Sequence, residues 1–144
     1  MRRTLLAAGV ATILLDAMVS TPTFAEPVMG EGHSKMDMYW RSCPVRARAD
    51  DGDINAMTSC AARASSLADS ELNRAYRSKM SRLSPARQKV LRSAERAWVG
   101  SREHKANKCA AVDREPDGRE YPFFVELCRA DANLARINFI NRWR

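Results

Sequence analysis

Four cysteines follow an N-terminal segment built like a secretory leader, and this pairing limits the possible folds more than any other feature. Arg2 and Arg3 open the chain. Thr4 to Val19 is mostly apolar, interrupted by Asp16, and Ser20-Thr21-Pro22-Thr23-Phe24-Ala25 adds small residues ending on alanine. That is the pattern of a signal peptide cleaved after Ala25. The apolar stretch is short for a membrane anchor and carries an acid. No cysteine follows it closely, so a lipid-anchored end is not expected. Export would place Cys43, Cys60, Cys109 and Cys128 where disulfides form and persist. None lies in a C-x-x-C pair, which leaves little support for redox or zinc chemistry. Four cysteines allow three pairings. The nearest-neighbour choice is Cys43–Cys60 with Cys109–Cys128, each bridge contributing roughly 2–4 kcal/mol to a small domain.

A long amphipathic helical signal runs from Ser84 to Cys109. Ser84 can cap a first turn and Pro85 suits its first position. Leu91, Ala94, Trp98 and Ser101 recur at three- and four-residue steps and share a face. Arg87, Arg92, Arg96 and Lys105 lie mostly off it. Before this run, Asp50-Asp51-Gly52-Asp53 reads as a turn whose acids suit a helix start. Met57, Ala61, Ala64, Ala68, Leu72, Tyr76, Met80 and Leu83 then form one stripe. It predicts a helix over 53–83, with a break at Ser65 and Ser66 as the main alternative. The short link at Leu83-Ser84-Pro85 implies an antiparallel helical hairpin. Residues 110–121 read as loop, with Pro116 and Asp117-Gly118 as turn signals. Pro122 can open a last helix carrying Phe124, Leu127, Asp131, Leu134 and Ile137. Arg129, Asn133, Arg136 and Asn141 fall outside that stripe.

Residues 26–48 show no sustained period and contain Pro27, Gly30, Gly32 and Pro44. They read as an irregular arm that becomes ordered near Cys43. Met29, His33, Met36 and Met38 cluster there. Thioether and imidazole groups can bind soft metals, but no rigid element fixes them, so no metal and no cofactor is assigned. The expected organisation is a signal peptide over 1–25, a flexible arm over 26–42 and a helical domain over 43–144. The expected fold class is all-α: a small three-helix antiparallel bundle with a long central helix, stapled by two disulfides.

Several motifs resemble the LprI-like lysozyme-inhibitor domain. Cys60 followed by Ala68-Asp69-Ser70-Glu71-Leu72-Asn73-Arg74-Ala75-Tyr76 looks like that family's first signature. Ala94-Glu95-Arg96-Ala97-Trp98-Val99-Gly100-Ser101-Arg102-Glu103, with Cys109 beyond, is similar to its second. Cys128 and Arg136 match its third. The resemblance covers about Cys43 to Arg142. This chain has Glu95 where members commonly have glutamine, Ser101 where they have an aromatic, and a longer step from Arg102 to Cys109. The resemblance implies a mostly helical exported protein and, from the activity that named the family, inhibition of lysozyme.

Read physically, Asp69, Leu72, Asn73 and Tyr76 share one side of the first long helix. Trp98 and Arg102 lie one turn apart on the second. Pairing these helices would let Arg102 meet Asp69 while its guanidinium covers Trp98. Asn73 would satisfy a leftover donor. The expected role is structural, with a polar ligand pocket as the functional counterpart.

No catalytic set assembles. His33 and His104 are the only histidines, and His104 follows Glu103 directly, so the two do not face each other on a helix. The expectation is an exported, non-enzymatic binding protein of the periplasm or the secreted fraction. Muramidases work with two acids in a groove. A loop offering Lys108, Arg114 and Arg119 beside a cystine could enter such a groove and inhibit a lysozyme or another cell-wall hydrolase. The alternative is a periplasmic interaction module for an anionic envelope component or another envelope protein. The formal charge of +7 supports either. Aromatic residues are not interleaved with the basic ones, which argues against nucleic acid.

Overall fold

The computed structural model describes residues 29–112, 116 and 118–143. The leader expected over 1–25 lies outside these residues. Among them run five helices: α1 (Met29–Arg41), α2 (Arg46–Asp50), α3 (Ile54–Met80), α4 (Pro85–Ala110) and α5 (Tyr121–Arg142). The three long helices fall where their periods place them, and α3 runs unbroken through Ser65 and Ser66. Ser66 returns its hydroxyl to the Ala62 carbonyl at 3.0 Å, which keeps a serine compatible with the helix.

Two short helices precede the expected three. Residues 29–41 are helical where the local sequence suggests irregular chain. The reason is tertiary: Tyr39 is buried, and Met36 also packs against the main core. A helix of this length is marginal alone, so its order comes from this packing. Gly52 supplies the left-handed turn (φ 86°) between α2 and α3. A Cβ there would meet nothing within 4 Å, so the cost of adding one is conformational. Gly52→Ala is expected to cost about 1 kcal/mol, measured as a shift in the urea midpoint.

Side chains close some of the helix ends. Asp53 accepts from the Asn55 and Ala56 amides at 3.0 and 3.1 Å. Gln88 donates to the carbonyls of Met80 and Leu83 at 3.0 and 3.1 Å, tying the end of α3 to the start of α4. Lys79 donates to the carbonyls of Asn141 and Trp143 at 3.0 and 2.9 Å. Ser84 makes no side-chain cap, contrary to expectation. It is exposed, so water can serve the same amides.

The bond from Lys79, late in α3, to the end of α5 shows that these two helices run parallel. α4 runs against both. The core lies between α3 and α5, where Ala64, Ala68 and Leu72 meet Ala130, Leu134, Ile137 and Ile140. Alanine on α3 lets the backbones approach closely. α4, expected to be central, is peripheral: it packs mainly on α5 and scarcely approaches the α3 backbone. Leu91, Ala106 and Ala110 are its buried residues. The buried face of α5 is also rotated from the expected stripe. Asn133 is fully buried and Asp131 is exposed.

Both cystines pair as nearest neighbours, Cys43–Cys60 and Cys109–Cys128, with Cα separations of 5.4 and 6.1 Å. They join elements at one pole of the bundle, where α3 and α5 begin and α4 ends. No described helix is long and apolar enough to cross a membrane.

Candidate functional site

The parallel α3–α5 pair leaves a solvent-open seam between α3 and α4. A cleft of about 320 Å³ opens there, walled by Asp69, Leu72, Asn73 and Tyr76 of α3 and by Arg92, Glu95, Arg96, Trp98, Val99 and Arg102 of α4. Six of the motif residues expected to act together, Asp69, Leu72, Asn73, Tyr76, Trp98 and Arg102, therefore share one cavity. The seventh, Arg136, reaches its wall from α5.

Arg102 organises one end. Its Nη1 donates to Asp69 Oδ1 at 2.8 Å and to Asn133 Oδ1 at 3.3 Å. Its guanidinium carbon lies 5.5 Å from the Trp98 ring centroid. The salt bridge and the cation–π contact coincide as the helical spacing implied. Asn73 acts differently from expectation. It donates to the Asp69 carboxylate at 2.9 Å and to the Asp69 carbonyl at 3.0 Å, so it orients the acceptor. Arg136 organises the other end. Its Nε and Nη2 lie 2.8 and 2.7 Å from Glu95 Oε1. Its guanidinium is 5.5 Å from Trp98 and 4.0 Å from Phe139. Trp98 thus contacts two guanidiniums, each held by its own carboxylate.

Two groups here were not read from sequence. Asn133 reads from the sequence as one of the polar residues outside the α5 stripe, yet it is buried and links Arg102 to the Ser65 carbonyl, the latter at 3.5 Å. The Glu95–Arg136 pair is not legible in the sequence, because its members are 41 positions apart on different helices and no local pattern couples them.

Ion pairs continue beyond the cleft. Glu103 accepts from Arg129, which also meets Glu126. The Arg129 hydrogen bonds hold the Glu103 carboxyl below its ordinary 4.5, and burial only partly opposes them. For Glu71, burial acts upward but is outweighed by the Lys35 ammonium, which hydrogen-bonds the carboxylate, and by the nearby Arg74 charge, so its carboxyl also lies low. Burial and Glu71 together push the Tyr39 phenol up. Folded-state values below the unfolded ones give stability that is present above 4.5 and lost as pH falls through the depressed values. Urea midpoints are therefore expected to hold steady down to about pH 5 and then drop. Glu103→Gln should flatten that drop.

The second candidate surface is the cystine-bound pole. Lys108 is exposed in the last turn of α4, and Arg119 is exposed beside Gly52, Asp53, Ile54 and Asn55. Arg114 lies outside the described residues. Tyr121 donates its hydroxyl to the Asn107 carbonyl at 3.1 Å, and Val125 packs on Ala106 and Ala110. These contacts and Cys109–Cys128 fix both ends of the loop. Lys108 and Arg119 stand apart from the cleft. Among the described residues, no group of three or more His, Cys, Asp or Glu side chains could hold a metal.

The family model described as lysozyme inhibitor LprI matches residues 46–139. The chain belongs to the LprI lysozyme-inhibitor family. The match takes in α2 to most of α5, the entire cleft, the Cys109–Cys128 cystine and the loop it closes. The family is one of inhibitors, not of catalysts. No curated protein and no solved structure matches the chain.

Proposed function

We propose that this protein is exported and inhibits a muramidase by direct binding, without catalysis of its own. The family match over residues 46–139 carries this reading. The cystine-bound pole supports it further, because a loop held at both ends loses less freedom on binding. Lys108 and Arg119 offer cations to the acids of a glycosidase groove.

The test is turbidity clearance of cell-wall suspensions by lysozyme with the oxidised exported chain added. Turnover should fall as the molar ratio approaches one to one, and Lys108→Glu with Arg119→Glu should weaken inhibition by roughly tenfold or more. Unchanged turnover at large molar excess would reject the reading. The formal charge of +7 supports a second role as an interaction module for an anionic envelope component. Salt-sensitive retention on peptidoglycan, without inhibition, would identify it.

A further inference from the structure

We propose that the cleft between α3 and α4 binds a small ligand bearing a single carboxylate on a sugar-sized body. The anion would sit at Arg92 and Arg96, with the body against Trp98 and Tyr76. This deepens the envelope-component reading and relies on it only for the compartment in which such ligands occur.

The first argument is charge. The cleft carries both signs, but its acids are already committed. Asp69 is paired with Arg102, and Glu95 with Arg136. Arg92 and Arg96 are exposed, and among the described residues neither has an ion pair or hydrogen bond. They stand one turn apart on the same face of α4, where like charges repel. An anion between them relieves that repulsion, and a guanidinium fork matches a planar carboxylate.

The second argument is shape and lining. A volume of about 320 Å³ lies at the small end of the range for ligand sites. Leu72, Trp98 and Val99 offer apolar surface, and Val99 remains 53% exposed. The Tyr76 hydroxyl has no hydrogen-bond partner among the described residues and remains available to a ligand. Aromatic groups with an apolar body and a polar tip suit a ligand that is itself amphipathic. The site is concave, so it cannot enter an enzyme groove, and one pair of cations cannot track a nucleic-acid backbone.

The third argument concerns the ligand's body. Inorganic phosphate could pair with Arg92 and Arg96, but it has no apolar surface to lie against Trp98 and Tyr76, so a carboxylate carried on a sugar-sized body gains contacts that the free ion lacks.

The probe is N-acetylmuramic acid, compared with N-acetylglucosamine, which lacks the lactyl carboxylate, and with inorganic phosphate. Each is titrated into the full exported chain, followed by calorimetry and by the Trp98 indole resonance. N-acetylmuramic acid should bind saturably and shift Trp98, while the neutral sugar and phosphate bind at least roughly tenfold more weakly. Arg92→Gln with Arg96→Gln should weaken binding by a similar factor without lowering the melting temperature, since neither side chain holds the fold and their mutual repulsion is relieved. Absence of saturable binding, equal binding of either comparator, or an unaffected double variant would each overturn the assignment. Lysozyme inhibition is read separately through Lys108 and Arg119, so either proposal can fail alone.

Discussion

Replacing Cys43 and Cys60 together by alanine is expected to destabilise the protein by about 3 kcal/mol. For a domain of this size, that lowers the melting temperature by roughly 10–20 °C. The loop closed by this cystine spans a sequence separation of 17, and closing it restricts the unfolded chain. Packing adds to the effect. Cys60 is fully buried and Cys43 nearly so, in a cluster with Ala49 and Ala56, covered by Trp40, Val45 and Met57. That cluster holds α1 and α2 against α3. Amide exchange should therefore quicken first in residues 34–50, before the α3–α5 core opens. The Cys109→Ala, Cys128→Ala variant provides the contrast. Cys109 is exposed, so this variant loses chain restriction with little core packing. Equal melting temperatures for the Cys43→Ala, Cys60→Ala variant and the parent would refute the first expectation. Simultaneous opening of α1 and the core would refute the second.

Arg136→Ala is expected to cost about 3 kcal/mol, because it leaves the Glu95 carboxylate without its cation. The Arg136 and Glu95 side chains are only 11% and 13% exposed, so water can compensate little. The substitution also removes the guanidinium from Trp98 and Phe139. Most of the cost arises from stranding a charge, not from losing an attractive pair. Glu95→Gln in the Arg136→Ala background should therefore recover a substantial part of the lost stability. A double-mutant cycle followed by urea unfolding measures this directly. If the double variant is as unstable as the sum of the single ones, the two residues are not coupled and the argument fails.

Much of the architecture could be read along the chain because periodicity is local. The Ala64, Ala68, Leu72 stripe marks α3, and Leu91 and Trp98 mark the inner side of α4. Pro85 and Pro122 locate helix starts, since proline tolerates the first turn and little beyond it. The Asp69–Arg102 contact could be anticipated because its residues sit at fixed positions on two helices joined by a short turn. Residues 29–41 escaped this reading. Nothing periodic in Met29 to Arg41 reveals that Tyr39 is drawn into a core built from α3 and α5. Asn133 escaped for the same reason: its polarity suggests solvent, while its buried place depends on Arg102 and the Ser65 carbonyl.

The order of residues alone determined the three long helices, the turns between them and the favoured pairing of the cystines, because each depends on neighbours in the chain. Only tertiary packing decided that α3 and α5 form the core, that α4 stands aside and that a cleft opens along the seam. Close approach through alanine is a property of two facing surfaces, and neither helix carries the information by itself.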